Sequence, residues 1–122
     1  MQAIDEGLFA DIGGVPQWLT FPGADRTNPV LLIIGGPGFG YAAIAPFFAA
    51  WERDFTVVHW DQPGAGFTYA RSAAEATTIA RLVEDGIAVA ELASVRLGVR
   101  KVALVCFSAG TIVGLEMSRR RP

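Results

Sequence analysis

The chain has 122 residues, enough for one domain and too few for two of ordinary size. Hydrophobic residues make up 52% of it and charged residues 18%, which is the composition of a folded domain and excludes a disordered chain. The net charge of −2 argues against a nucleic-acid-binding protein. A single cysteine and a single histidine exclude a disulfide framework and a zinc site built from several such ligands.

No targeting or membrane segment is expected. The first seven residues contain two acidic residues and no basic one, unlike a secretory signal. Residues 27–51 carry no charge, but glycines and prolines interrupt them repeatedly, so we interpret this stretch as buried strand, loop and helix rather than a bilayer helix. The lone Cys106 suits a reducing compartment, and we expect a cytoplasmic protein.

The first half of the chain predicts a hairpin, a strand and a helix. Apolar runs at residues 8–12 and 17–21 flank Gly13, Gly14 and Pro16, which is typical of a hairpin. A polar loop over residues 22–29 follows. Val30–Ile34 is a continuous run of branched apolar residues, which indicates a strand buried on both faces of a parallel sheet. A glycine loop at 35–40 and a helix over 41–51 complete this half.

The second half alternates strands and helices again. Residues 55–60 predict a buried strand, 61–66 a turn, 76–97 the longest helix, 101–106 a further strand and 109–120 a last helix. Gly98 stands where a helix C-terminal glycine belongs. The apolar face of the longest helix is expected at these positions: Ile79, Leu82, Val83, Ile87, Ala90 and Leu97. The order predicts one α/β domain over residues 1–122, with a mostly parallel sheet, helices on both faces and an antiparallel hairpin at the start.

The segment around Ser108 carries the most specific chemical pattern. A buried strand, a turn centred on Ser108 and a helix follow one another, which is the layout of a nucleophile elbow. The elbow needs small residues two before and two after the serine, and Cys106 and Gly110 occupy those positions. The following helix places free N–H groups where negative charge develops. The alternative is an ordinary serine that caps a helix.

The glycine loop after the Val30–Ile34 strand allows two interpretations. A backbone N–H in this loop can point at the Ser108 hydroxyl and help to bind an oxyanion. Alternatively, the loop is the phosphate-binding turn of a dinucleotide-binding domain, with Asp61 as the acid that contacts the ribose. The glycine spacing departs from that fingerprint, and Pro37 removes an N–H donor from the loop.

Three motifs in order resemble the α/β-hydrolase fold and, within it, the proline iminopeptidase-like group. That group carries H-G-G-P-G, D-Q-R-G-x-G-x-S and G-x-S-x-G. This chain has IGGPG at 34–38, DQPGAGFT at 61–68 and CFSAG at 106–110. The resemblance covers nearly the whole chain and is more specific for the fold than for peptidase activity.

The resemblance implies a role for several residues. Ser108 would be the nucleophile, and the N–H groups of Gly36 and Ala109 would form the oxyanion hole. The turn residues Asp61, Gly64 and Gly66 would be structural. The implied enzyme is a serine hydrolase of ester or amide bonds, similar to an aminopeptidase, with a small-molecule or peptide substrate, an acyl-enzyme on Ser108 and no metal or other cofactor.

Four positions depart from the group's motifs. Ile34 replaces a histidine, Pro63 an arginine, Cys106 a glycine and Thr68 a serine. The Cys106 substitution is expected to strain the elbow, and Ile34 removes a polar support of the glycine loop.

The acid and the base of a triad are missing from the chain. In this fold they follow the serine, but residues 109–122 contain Glu116 and no histidine. We interpret His59, within a strand, as structural, and Glu116 as a solvated helix residue. The chain is therefore expected to be the N-terminal portion of a hydrolase, inactive alone, without the cap and the C-terminal strands.

Strand 101–106 would then be an unprotected edge, which pairs with the missing C-terminal half or with a second copy. Two alternatives remain: a non-catalytic hydrolase-like interaction module and a dinucleotide-binding α/β domain.

Overall fold

The computed structural model describes residues 3–36, 41–71 and 78–122. Its first element is an antiparallel hairpin of β1 (Ile4–Ile12) and β2 (Val15–Gly23), joined by Gly13 and Gly14. The hairpin prediction is confirmed, but both strands are longer than predicted, and β2 continues into the segment predicted as a loop. The extension includes Pro16 and Pro22. The other side of β2 pairs with a further strand only at Trp18–Thr20. Both prolines lie outside that stretch, so neither removes a backbone hydrogen bond to that strand.

The sheet has five strands and is mixed. After the hairpin come β3 (Val30–Ile34), β4 (Thr56–Asp61) and β5 (Val102–Cys106), and the strand order is β1-β2-β4-β3-β5. The hairpin joins β4 in antiparallel fashion, whereas β3 pairs in parallel with both β4 and β5. The predicted α/β class and the three predicted central strands are confirmed. Because β3, β4 and β5 are parallel, their carboxyl ends lie at one edge of the sheet.

Helices cover both faces of the sheet, as predicted. A 3₁₀ helix (Tyr41–Arg53) and the short α1 (Gly66–Arg71) lie on one face, and α2 (Ile79–Leu97) and α3 (Gly110–Arg120) on the other. The segment predicted as a helix over 41–51 is therefore 3₁₀, and α1 was not predicted. The rest of the glycine loop, residues 37–40, and the predicted helix start at 76 lie outside the described residues. No helix in the described ranges is long and apolar enough to cross a bilayer.

The buried face of α2 includes most of the predicted apolar face. Leu82 and Val83 are buried, and Ile87, Ala90 and Leu97 pack against the core, but Ile79 is 40% exposed. The fully buried stripe also contains residues that were not predicted: Asp85, Gly86, Val89 and Ala93. Asp85 and Gly86 carry no apolar signal, so periodicity does not indicate their burial. Thr78 caps the helix at its start, and Gly98 ends it with a φ of 67°.

Gln17 forms the centre of a buried hydrogen-bond network between the hairpin and α2. Its Oε1 accepts the indole N–H of Trp60 at 2.7 Å, and its Nε2 donates to Asp85 Oδ2 at 3.1 Å. The same Nε2 donates to the carbonyl of Ile12 at 3.1 Å, and Asp85 also accepts from Arg81 Nε at 3.4 Å. The glutamine side chain is fully buried. A buried amide stabilises a fold only when its hydrogen bonds are made, and these contacts satisfy both its nitrogen and its oxygen.

Strand β5 lies at one edge of the sheet, and no described strand pairs with its outer side. Beside it, α2 and α3 border an open groove of about 460 Å³. Its apolar floor includes Val102, Leu104 and Met117, and its rim carries charged groups such as Arg100 and Lys101. The prediction that this strand is a sheet edge is confirmed.

Candidate active site

Three loops meet at the carboxyl edge of the parallel strands. Residues 35–36 leave β3, residues 62–65 leave β4 and residues 107–109 leave β5. The N–H of Phe107 donates to the carbonyl of Ile34 at 2.9 Å, and the side chain of Gln62 donates to the carbonyl of Gly35 at 2.9 Å. The structure therefore brings the three sequence motifs together in one site.

Ser108 stands on a sharp bend between β5 and α3. It has a φ of 55° and is the only non-glycine residue with positive φ among the described residues. This left-handed conformation costs an ordinary residue about 1–2 kcal/mol. The side chain is exposed, and α3 takes Ala109, not Ser108, as its N-cap residue. The alternative of an ordinary capping serine is therefore wrong: the residue is strained and projects from the edge of the sheet.

Gly110 allows the elbow to pack against the glycine loop. A β-carbon on Gly110 would overlap the carbonyl oxygen of Ile34 and stand 2.7 Å from that of Gly35. Any other residue would push α3 away from the loop. The sequence prediction of a small residue two positions after the serine thus has a specific steric cause here.

Gly36 and Ala109 are neighbours across the two loops. A β-carbon built on Gly36 would stand 3.9 Å from Cβ of Ala109. Within the described part of the chain, neither backbone N–H donates a hydrogen bond. Both donors are therefore available to a ligand beside Ser108, and Ala109 also lies at the positive end of α3.

The turn after β4 is built around Asp61. Its carboxylate accepts the N–H of Phe67 at 2.9 Å at the start of α1. The hydroxyl of Thr68 donates to the Asp61 carbonyl at 2.5 Å and accepts the N–H of Trp18 at 2.8 Å. Both hydrogen bonds require a side-chain hydroxyl, which Thr68 supplies. Asp61 is buried, which does not suit a carboxylate that contacts a ribose.

Gln62 is a residue of this site that the sequence interpretation missed. It is almost fully buried and reaches from the β4 turn to the β3 loop. The only sequence signal is its place directly after a buried strand, inside the DQPGAG motif. Nothing in the local pattern identifies its partner, which lies 27 residues away along the chain.

His59 does not lie in a position to activate Ser108. Its side chain is fully buried in β4 and packs against Phe48 of the 3₁₀ helix, with ring centroids 5.7 Å apart. Burial lowers its pKa to about 4, so the ring is neutral at pH 7. Glu116 is bound to Arg119 and Arg120 on the surface of α3.

The Cys106 side chain points away from the elbow, into the helix layer. It contacts α3 at Gly114, and burial raises the pKa of its thiol. Cys106 has ordinary backbone geometry, since positive φ in the elbow is confined to Ser108. The expected strain at Cys106 is thus relieved by the space that Gly114 leaves.

A mixed α/β sheet with a tight strand–serine–helix turn at the carboxyl ends of its parallel strands is the arrangement of the α/β-hydrolase class. The chain belongs to the α/β-hydrolase family, whose model, described as "Alpha/beta hydrolase family", matches residues 30–121.

Named relatives agree with this assignment. The chain is 36% identical over 116 residues to the probable aminopeptidase YbaC of Bacillus subtilis (strain 168), a match that covers 91% of this chain and 36% of the relative. Among solved structures it is similar to the proline iminopeptidase-related protein TTHA1809 of Thermus thermophilus. That match has a TM-score of 0.77 and 27% identity, and covers 98% of this chain and 41% of the other.

A second solved structure carries a different name. The epoxide hydrolase VrEH1 of Vigna radiata matches with a TM-score of 0.73 and 30% identity, over 97% of this chain and 37% of the other. The chain thus spans about two fifths, or less, of the length of these relatives. The resemblance to an N-terminal portion of an α/β-hydrolase is confirmed.

Proposed function

We propose that this chain supplies the nucleophile and the oxyanion hole of a serine hydrolase that cleaves ester or amide bonds. The observation that carries the proposal is the strained, exposed Ser108 beside the free N–H groups of Gly36 and Ala109. Strain of this kind persists where the surrounding structure enforces it, and it concentrates at active sites. The names of the aminopeptidase relatives favour a peptide-like substrate whose N-terminal residue is released.

The reaction would follow from these positions. The Ser108 hydroxyl attacks the carbonyl carbon while a base takes its proton, and the carbonyl oxygen becomes an oxyanion bound by the two amides. The intermediate collapses, the leaving group departs with that proton, and an acyl-enzyme remains. Water then attacks the ester and gives a proton to the base; the bond between the acyl carbon and the Ser108 oxygen breaks, the carboxylic acid leaves, and the base returns that proton to Ser108. Removal of one oxyanion donor costs such enzymes about 10²–10³ in kcat.

The base and the acid are proposed to come from polypeptide beyond residues 1–122. The only histidine of the chain is buried away from solvent and held neutral in the sheet. The relatives are more than twice as long as this chain. The open edge of β5 and the adjoining apolar groove would receive the continuation of the sheet.

Labelling with a fluorophosphonate tests the proposal. The protein to be labelled is the product of the longest open reading frame that contains residues 1–122. We expect the label on Ser108, and none after Ser108→Ala. Ser118→Ala is the matched control, because Ser118 lies on α3 and, among the described residues, its hydroxyl donates only to the carbonyl of Gly114 in the same helix. Unchanged labelling of Ser108→Ala would remove the proposal.

A non-catalytic hydrolase-like module is the second candidate. It is favoured by the departures of Ile34, Pro63 and Cys106 from the motifs of the proline iminopeptidase-like group. The DNA downstream of the Pro122 codon separates the two candidates. A frame that continues to an acidic residue and then a histidine supports the enzyme, and a full-length frame without a late histidine supports the module.

A further inference from the structure

The peptide that links Gly35 to Gly36 is held at one end by a buried side chain. Gln62 Nε2 donates to the Gly35 carbonyl at 2.9 Å, and both residues are buried. The preceding carbonyl, that of Ile34, accepts the N–H of Phe107 at 2.9 Å. The β3 loop is thus anchored twice, once by the β4 turn and once by the elbow.

The carbonyl of Gly35 and the N–H of Gly36 belong to the same peptide unit. A trans peptide is planar, and its C=O and N–H point in opposite directions. A donor that fixes the carbonyl therefore also fixes the direction of the N–H. Gln62 binds the carbonyl inside the protein, so the N–H of Gly36 points in the opposite direction within the plane of that peptide.

Among the described residues, Gln62 is the hydrogen-bond donor to the Gly35 carbonyl, and Gly110 packs against it without a hydrogen bond. Glycine stands on both sides of the peptide, and glycine populates a wide range of φ and ψ. Without Gln62, the buried Gly35 carbonyl would lose its donor, which costs about 1–3 kcal/mol, and rotation of the peptide would relieve that loss. Such a rotation would turn the Gly36 N–H away from its present direction beside Ala109.

We infer that Gln62 is a positioning residue that orients the Gly36 amide as a donor to the oxyanion. The inference rests on the proposed function of Ser108, Gly36 and Ala109. Gln62 acts through the peptide and needs no contact with substrate. Removal of its amide should lower the rate of reaction at Ser108 and leave the binding of substrate in its ground state little changed.

NMR of glycine-labelled protein observes the Gly35–Gly36 peptide directly. The sequence contains two Gly–Gly pairs, 13–14 and 35–36. Protein labelled with ¹³C-carbonyl and ¹⁵N glycine therefore gives two signals in a carbonyl–amide NMR correlation, in solution or, for assembled protein, in the solid state. We expect Gln62→Met to move the 35–36 signal, with the carbonyl shifted upfield by loss of its donor, and to leave the 13–14 signal in place.

Gln17→Met is the matched control. Gln17 is also a buried glutamine, and it donates to the carbonyl of Ile12 next to the first pair. We expect this variant to move the 13–14 signal and not the 35–36 signal. An unmoved 35–36 signal in Gln62→Met overturns the inference. If Gln62→Met unfolds, the wild-type protein is measured instead. A scalar coupling across the hydrogen bond between Gln62 Nε2 and the Gly35 carbonyl is expected, and its absence contradicts the inference.

Fluorophosphonate labelling then separates this inference from the proposed function. We expect Gln62→Met to slow the labelling of Ser108 at least about tenfold, and Gln17→Met to change it less than about twofold. Equal labelling of wild type and Gln62→Met overturns the role of Gln62 while the nucleophile stands. If wild-type Ser108 is never labelled, the proposed function fails, and the NMR signals still decide whether Gln62 orients the peptide.

Discussion

The sulfur of Cys106 occupies the space that a β-carbon on Gly114 would need. One residue lies on β5 just before the elbow, and the other lies in α3 just after it. The cysteine replaces a glycine of the family motif, and a glycine in the facing helix accommodates it. The elbow thus keeps its shape through a pair of positions that the motif does not connect.

Gly114→Ala should lower the free energy of unfolding by about 1–3 kcal/mol, because a methyl group there overlaps the Cys106 sulfur. Cys106→Ala in the same chain should recover most of this loss, since it vacates the space. Chemical denaturation of the wild type, both single variants and the double variant measures the coupling. Additive losses would show that the two side chains do not compete for space.

Ser108→Gly should raise the free energy of unfolding by about 0.5–1 kcal/mol, because glycine adopts a φ of 55° without steric penalty. Ser108→Ala is the control. It also lacks the hydroxyl, but it keeps the β-carbon and hence the strain. Thermal or urea unfolding compares the two, and equal stability would mean that the elbow is unstrained. A gain in the glycine variant would show that stability is given up at this position.

The stability of the fold should fall as the pH falls from about 6.5 to 4. Burial lowers the pKa of His59 to about 4 in the folded chain, whereas the unfolded chain binds this proton near pH 6.5. The unfolded state therefore binds more protons within this window. The contribution of the neutral ring is complete above pH 6.5 and declines by about 2–3 kcal/mol on reaching pH 4.

His59→Leu removes the only histidine, so this part of the pH dependence should vanish in that variant. The carboxylates titrate in both proteins and cancel in the comparison. Urea unfolding at several pH values gives the two curves. Parallel curves from pH 7 to 4 would contradict the lowered pKa.

The isolated 122-residue chain should self-associate through the outer side of β5, because the edge carries unpaired backbone groups beside an apolar groove. Ala103→Lys places a charge on an exposed position of this strand and should lower the associated fraction several-fold. Ala49→Lys makes the same change of charge on the exposed surface of the 3₁₀ helix and should have no effect. Sedimentation velocity measures both, and equal association of the two variants would assign the contact to another surface.

The sequence predicted the parts of the fold that depend on local patterns. Apolar runs predicted β3, β4 and β5, and Gly98 marked the end of α2, because these signals come from residues adjacent along the chain. The burial of Asp85 and Gly86 on α2 was not predicted, since their partners lie in distant segments. Gly86 leaves room for Met117, and Asp85 meets Gln17.

The residues of the candidate site also fall into those that local patterns predict and those that they do not. Ser108 was singled out by the strand–turn–helix pattern, because a tight turn constrains residue types at fixed spacing, whereas the roles of Gly36 and Ala109 were implied by the family resemblance. Gln62 and the Cys106–Gly114 pair were missed, because their contacts cross between elements and leave no periodic signal. A buried amide of one loop that supports the backbone of another becomes visible only when the three-dimensional structure is known.

The network around Gln17 has a consequence for synthesis on the ribosome. The hairpin emerges first, but the carboxylate that its glutamine needs is 68 residues further along the chain. Until that residue leaves the exit tunnel, the buried amide lacks one of its partners, although β2 can already pair with β4 and Gln17 can already accept the indole N–H of Trp60. Burial of the hairpin side chains is therefore completed only after translation of α2, and an arrested ribosome short of residue 85 would display a hairpin that is paired with β4 but open on the side that α2 covers.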